Sequence, residues 1–413
     1  MAWLPEWQIT VGDDVYTTVT SVSLSTGRID IDRQATAGYC RAEIVNTTGA
    51  DFTINITEPI SLQLKNTSGT YVTVFTGEVS DFTIGVRSPE ENGYVTYGSI
   101  LGIGSLSKLT KAIYNTALAE GLDGAQIAAI LGAALDTTWA EISSAITWVA
   151  YAPTETWAEA GYTGTIDTGF YTMVNLAASA SAKSSTLVDQ IATSALGQIY
   201  EDVTTGDVNY DDADHRTTYL STYGFTNLDG AYTAPASIKA TTQTARLRNS
   251  LIYRYGASYG STYLASDADS IAEYGTFEKS TDSNIKGLTD ITSIATRELE
   301  LRKDPRAQLE AITFRLDNPD MPDAMRDSLI GVFFGQPVYI DNLPSNFFGG
   351  SYDGFVEDIT FKATPNYVDV TLFISATDFS IVQPQWETIV PSSIIWSGVN
   401  ATLIWSNATG VLN

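Results

Sequence analysis

The chain has 413 residues, of which 17% are charged, and a formal net charge of −26 with a single histidine. With so few Lys and Arg and no cluster of them, it cannot neutralise a phosphate backbone, so tight nucleic-acid binding is excluded. One cysteine, Cys40, excludes an internal disulfide and any cysteine-based zinc site.

The first hundred residues read as short strands. Trp7, Ile9 and Val11 alternate before the turn Gly12-Asp13-Asp14. Val22 and Leu24, Ile29 and Ile31, then Cys40, Ala42 and Ile44 continue the pattern. Ile60, Leu62 and Leu64 form another period-2 set, and Val72 and Val74 lead into Phe75-Thr76-Gly77-Glu78-Val79-Ser80-Asp81-Phe82-Thr83. Cys40 lies in such an alternation, which predicts a buried strand thiol. Spacing of this kind predicts a sandwich or barrel over 1–104.

From Gly104 the character changes to a mixed α/β insertion over 105–305. Helices are expected at about 105–135, 186–196 and 285–303. Asp123 is the expected cap of a helix carrying Ile127, Ile130, Leu131 and Ala134 at helical spacing. Leu187, Val188 and Ile191 mark the next helix, with Gly197 as its C′ residue. Thr204-Thr205-Gly206 then closes a hairpin, and 198–275 is expected to be β-rich. Leu288, Ile291, Ala295 and Leu299 define the last helix, which must stop before Pro305.

A second β-unit is expected over 306–383, because Tyr352-Asp353-Gly354-Phe355-Val356-Glu357-Asp358-Ile359-Thr360 repeats the pattern of Phe75–Thr83. Upstream, Gln336-Pro337-Val338-Tyr339-Ile340 matches Glu58-Pro59-Ile60-Ser61-Leu62. The expected class is therefore β-rich α+β: two tube-like β-barrel or sandwich units flanking the insertion, plus a Trp-rich extension at 384–413. Gly77 and Gly354 imply a bulge or a close backbone approach. Asp81 and Asp358 are read as fold determinants that satisfy backbone or edge groups.

No catalytic motif holds up. Gly256-Ala257-Ser258-Tyr259-Gly260 matches a nucleophile elbow, but the only histidine, His215, precedes it, so a turn is expected. Ser105-Leu106-Ser107-Lys108 lacks the companion motifs of a β-lactamase-type site. Asp211-Asp212-Ala213-Asp214-His215 lacks the glycine and distal Glu of a calcium loop, so an exposed acidic loop is expected. Glu298 and Glu300 lie on a charged helix face, where a solvated or ion-paired role outweighs an acid/base pair. No enzyme activity, catalytic residue, metal or cofactor is expected. Trp139, Trp148 and Trp157, and Trp386, Trp396 and Trp405, recur at near-regular spacing; core filling is one reading, and docking is the other, since Trp is enriched at binding hot spots.

Three segments together resemble phage tail hub proteins, the minor tail or baseplate hub at the distal end of the tail tube. They are Arg28-Ile29-Asp30-Ile31-Asp32-Arg33-Gln34 through Phe75–Val79; Gly197-Gln198-Ile199-Tyr200-Glu201-Asp202 with Thr205-Gly206-Asp207 and Arg216; and Gly335–Val338 with Tyr352–Ile359. The resemblance covers most of 7–383; residues 136–175 and 384–413 fall outside it. It implies a homotrimer in which each chain gives two tube-like units to a ring. That ring would join the tail tube, or a distal tail protein, to a fibre or spike protein. Its acidic lumen would let DNA pass without tight binding. The expected location is the virion tail tip, after synthesis in the host cytoplasm without a signal peptide or membrane span. The alternatives are an adhesin binding host-surface glycan through its tryptophans and, behind it, a cell-wall hydrolase.

Overall fold

A computed structural model describes residues 3–46, 51–90, 93–134, 163–179, 181–234 and 237–382. The N-terminal unit contains β1 (Trp7–Val11), β2 (Asp14–Tyr16), β3 (Val19–Gly27), β4 (Thr36–Asn46), β5 (Pro59–Lys65), β6 (Tyr71–Glu90) and β7 (Gly93–Ile103). The middle of the chain opens with α1 (Leu106–Lys111), β8 (Gly121–Leu122), α2 (Asp123–Ala133), β9 (Thr163–Ile166) and β10 (Thr172–Met173). It continues through α3 (Ser184–Ser194), β11 (Gln198–Glu201), β12 (Val208–Asp211), α4 (His215–Tyr223), β13 (Thr226–Asp229) and β14 (Lys239–Thr242). After these come β15 (Ser250–Tyr255), β16 (Ser261–Ser266), α5 (Ala268–Tyr274), β17 (Glu278–Asp282) and α6 (Leu288–Arg302). The chain then returns to strands in β18 (Ala307–Arg315), α7 (Asp323–Ile330), β19 (Pro337–Asp341), β20 (Tyr352–Thr364) and β21 (Tyr367–Ala376).

A 13-stranded sheet runs through both β-units in the order β14-β18-β21-β20-β3-β4-β7-β6-β5-β1-β2, with β19 also on β20 and β13 on β19. The period-2 patterns explain its faces: Trp7, Ile9 and Val11 are buried along β1, as are Ile60, Leu62 and Leu64 along β5. One apolar core collects Leu24, Ile44, Leu62 and Phe75 from the first unit and Phe314, Val338, Val356 and Ile374 from the second. Each such side chain contributes roughly 1.5–3 kcal/mol when fully buried. A second core under the insertion joins Ile127, Leu131, Val188, Ile191, Tyr210, Leu251, Ile291 and Leu299. The β-rich α+β class is thus what the chain adopts, and the second unit draws β13 and β14 from inside the insertion.

The two copies of the repeat are built alike. Ile60 faces Gly77 and Val338 faces Gly354. The register then slips between Val79 and Asp81 against β7, and between Val356 and Asp358 against β21, so each copy carries a bulge at the same place. A Cβ on Gly77 would overlap the Ile103 carbonyl oxygen, and one on Gly354 the Ser375 carbonyl oxygen. Both glycines sit where a neighbouring strand approaches too closely for a side chain.

Several local expectations are corrected. Ile29 and Ile31 belong to a loop between β3 and β4, with Ile29 exposed. The helix from Ser105 stops at Lys111; Ile113 and Leu118 make isolated bridges instead. Asp123 is the first residue of α2 rather than its cap: its carboxylate accepts the N–H of Phe170 and Tyr171 and the hydroxyl of Tyr210. Leu196, at φ 58°, takes the C′ place after α3. Gly197 follows it, donating its N–H to the Ala192 carbonyl, and is glycine because the Tyr210 ring lies against it. The stretch 198–275 includes helices α4 and α5.

Candidate functional site

The helix–hairpin–helix formed by α3, β11, β12 and α4 lies across both β-units and holds each of them by a buried glutamate. Its turn is set locally: the Asp202 carboxylate accepts the N–H and hydroxyl of Thr204 at 2.7 and 2.6 Å, and Gly206 takes φ 80°.

On the side of the first unit, Glu201 enters a socket lined by Gly38 and Gly104, where any side chain would strike its carboxylate. It accepts the N–H of Gly38 at 2.5 Å and of Leu106 at 3.0 Å. Burial pushes this carboxyl up to about 7, against the pull of those N–H donors and of Ser105. Gln34 adds to this grip, accepting the Ile199 N–H at 3.0 Å and donating to the Gly197 carbonyl at 3.1 Å. Thr76, inside the first repeat motif, donates to the Thr204 carbonyl at 2.9 Å.

On the other side, Glu357 of the second motif is fully buried between two guanidinium groups. Arg216 of α4 donates to its two oxygens at 2.7 and 3.0 Å, and Arg28 donates at 2.8 Å. The Ser375 hydroxyl adds a bond of 2.5 Å. Arg216 also reaches Gln198 at 2.7 Å and Ser380 at 2.8 Å, and lies 4.8 Å from the Phe355 ring centroid. Burial alone would raise this carboxyl, but Arg216 and then Arg28 more than offset that and hold it well below the usual carboxylate range. The result is a buried ion triad joining the β3–β4 loop, α4 and β20.

Asp211-Asp212-Ala213-Asp214-His215 is not the exposed acidic loop expected. It is the turn into α4, with Asp211 and Ala213 buried. Burial pushes the Asp211 carboxyl up to about 6. His215 Nδ1 lies 2.7 Å from Asp167, whose hydrogen bond raises the imidazole pKa against the opposing effect of burial. Among the described residues, Asp167, Asp211 and His215 are the group whose potential ligand atoms come within 4.8 Å of one another. As they stand, the imidazole and Asp167 satisfy each other as a hydrogen-bonded pair.

The remaining sequence candidates take structural places. Ser258 is exposed in the turn between β15 and β16. Glu298 is buried, bonded to Tyr253 and ion-paired with Lys279 at 2.7 Å, while Glu300 pairs with Lys303 at 3.0 Å. Cys40 is buried, which pushes its thiol up to about 12 and makes it inert. Asp358 is half-buried and Asp81 exposed. Trp139, Trp148, Trp157, Trp386, Trp396 and Trp405 lie outside the described residues. Among the described residues no helix is long and apolar enough to cross a membrane.

Glu201, Arg216 and Glu357 stand in sequence motifs that do not reveal their partners. The available signal was pattern-breaking: Glu201 stands two residues after buried Ile199, and Glu357 directly follows the apolar pair Phe355-Val356.

No protein-family model matches the chain, and no curated protein matches it in sequence. Solved structures do. The 43 kDa tail protein of prophage MuSo2 from Shewanella oneidensis is 12% identical, with a TM-score of 0.57 over 91% of this chain and 99% of that one. A tail protein from Neisseria meningitidis is 12% identical, with a TM-score of 0.56 over 92% of this chain and 99% of that one. The chain shares the fold of these tail proteins over nearly its whole length.

Proposed function

We propose that this chain is the structural hub of a phage tail: a homotrimer whose ring joins the tail tube to the distal tip or fibre and lets the genome through. The observation that carries the reading is the β-unit built twice, with matching glycine and bulge, in one continuous sheet. Two equivalent units per chain turn three subunits into six similar surfaces, which is what a threefold part needs to meet a sixfold tube. The helix–hairpin–helix fixes the angle between the units, holding one through Glu201 and the other through Arg216. The fold shared with solved tail proteins supports the same role. The net charge of −26 suits a lumen that must not retain DNA.

Native mass spectrometry of the full chain tests this. A trimer is the expected species; a monomer at micromolar concentration contradicts the reading. The tryptophans of 384–413 are the proposed docking element for a distal partner. Deleting 385–413 should leave folding and trimerisation intact and abolish co-assembly with that partner. Unchanged co-assembly would remove the extension from the account.

A further inference from the structure

The second copy of the β-unit is sealed along an edge where the first is open. After its bulge, β20 is covered by β3, with Thr360 opposite Ser25 and Phe361 opposite Leu24. On that strand Ile359, Phe361 and Ala363 are 1%, 2% and 5% exposed, packed in the large apolar core. In the first copy the corresponding residues are Phe82, Ile84 and Val86. Beyond Asp81, β6 has only β7 beside it among the described residues, and Ile84 and Val86 are 56% and 58% exposed. Asp358 has the Ser25 and Thr360 hydroxyls at its carboxylate; Asp81 is exposed.

The missing cover has a counterpart at the far end of the same sheet. Leu24 of β3 faces Cys40, which faces Gly102 of β7. In the second unit Ala240 of β14 faces Leu309, which faces Ile374 of β21. Gly102 and Ile374 in turn lie opposite Val79 and Val356, immediately before the two bulges. Leu24 and Ala240 therefore hold the same place in their units. β14 is the terminal strand of the sheet, paired only with β18 among the described residues, and Ala240 and the preceding Ile238 are only partly buried.

We propose that residues 82–86 of β6 pair antiparallel with residues 238–242, which are β14 and the residue before it, in a second copy of this chain, repeating the β20–β3 contact between subunits. The occupant is a second copy because one chain carries both halves of the joint, the stretch of β6 that β5 leaves uncovered and the terminal strand β14. Carrying over the β20–β3 register places Ile84 opposite Ala240, Thr83 opposite Thr241 and Val86 opposite Ile238. Two half-exposed apolar side chains then gain cover from two partly buried ones. Asp81 comes to lie beside Thr241 as Asp358 lies beside Ser25. The joint is head-to-tail, so it closes into a ring when the rotation closes.

This inference rests on the hub reading, and one experiment separates the two. In the full chain, Thr83→Cys and Thr241→Cys are combined, with the buried Cys40 left in place. Directly opposed Cβ atoms of an antiparallel pair lie about 4.5–5.5 Å apart, close enough for mild oxidation to join them. The expected result is a covalently closed trimer on denaturing gels, and dimers only when the two single variants are mixed. Thr83→Cys combined with Lys239→Cys, two residues out of register, should stay uncrosslinked. A native trimer without the Thr83–Thr241 crosslink, or a crosslink within one chain, overturns the strand pairing and leaves the hub reading standing. A monomer overturns both. Ile84→Lys, at an exposed position, should keep the melting profile of the folded chain while abolishing the trimer; a trimer that survives it contradicts the proposal.

Discussion

The two copies of the β-unit share their backbone and differ in what they bury. Each has a glycine where a neighbouring carbonyl presses close and a bulge beginning one residue after the same valine. At the bulge the first copy has Ser80, which is exposed, and the second has Glu357, which is fully buried in an ion triad. The bulge thus supplies an outlying side chain, and each copy uses it differently. In the second it anchors the insertion; in the first it faces solvent beside an open edge. A duplicated fold determinant can stay fixed while the residue it presents diverges into a link within the chain.

Breaking that difference should produce the largest effect. Glu357→Ala leaves Arg28 and Arg216 buried without their carboxylate and should cost about 3–5 kcal/mol. Ser80→Ala should stay within about 0.5 kcal/mol. Urea denaturation of both variants checks this, and equal losses would mean that the triad does not hold the units together. What the copies share should respond equally. Gly77→Ala and Gly354→Ala each force a carbonyl aside and should each cost about 1–3 kcal/mol. A loss at only one site would show that the close approach is not a common device.

The two glutamate grips also differ in their response to pH. Glu201 has its carboxyl raised to about 7 in the folded chain from an ordinary value of 4.5. Its contribution is fully present below about 4.5 and is lost as pH rises through about 7. Glu357 is depressed, so its contribution is present above its ordinary value and is lost only in strong acid, as pH falls through its folded value. Glu201→Gln should therefore flatten the dependence of melting temperature on pH between about 5 and 8. An unchanged slope would assign that dependence to other groups, such as Asp211 or His215.

Much of the β framework was legible because sheet faces impose period-2 burial locally: β1, β5 and the β11–β12 turn follow their side-chain patterns. The duplicated motif was legible because its glycine has no substitute at a close approach. What escaped depended on distant partners. Ile29 and Ile31 alternate like strand residues, yet the loop they occupy is tied by Arg28 to Glu357 and by Arg246 and Arg248 to Asp30 and Asp32. Helix α4 has almost no apolar face; Arg216 is its buried residue, and no helical periodicity announces it. Asp123 looked like a cap because local chemistry favours Asp at helix starts, but its acceptors serve Phe170, Tyr171 and Tyr210. β13 and β14 join the large sheet through pairings with β19 and β18 that no local pattern encodes.

The central claim is that two like units per chain build a ring of three subunits. Electron-microscopic averaging of the purified full chain views that ring end-on. The expected image is a threefold particle with a central channel and a wall of six similar lobes. A compact particle without a channel, or a ring whose lobes do not fall into two alternating kinds, would contradict it.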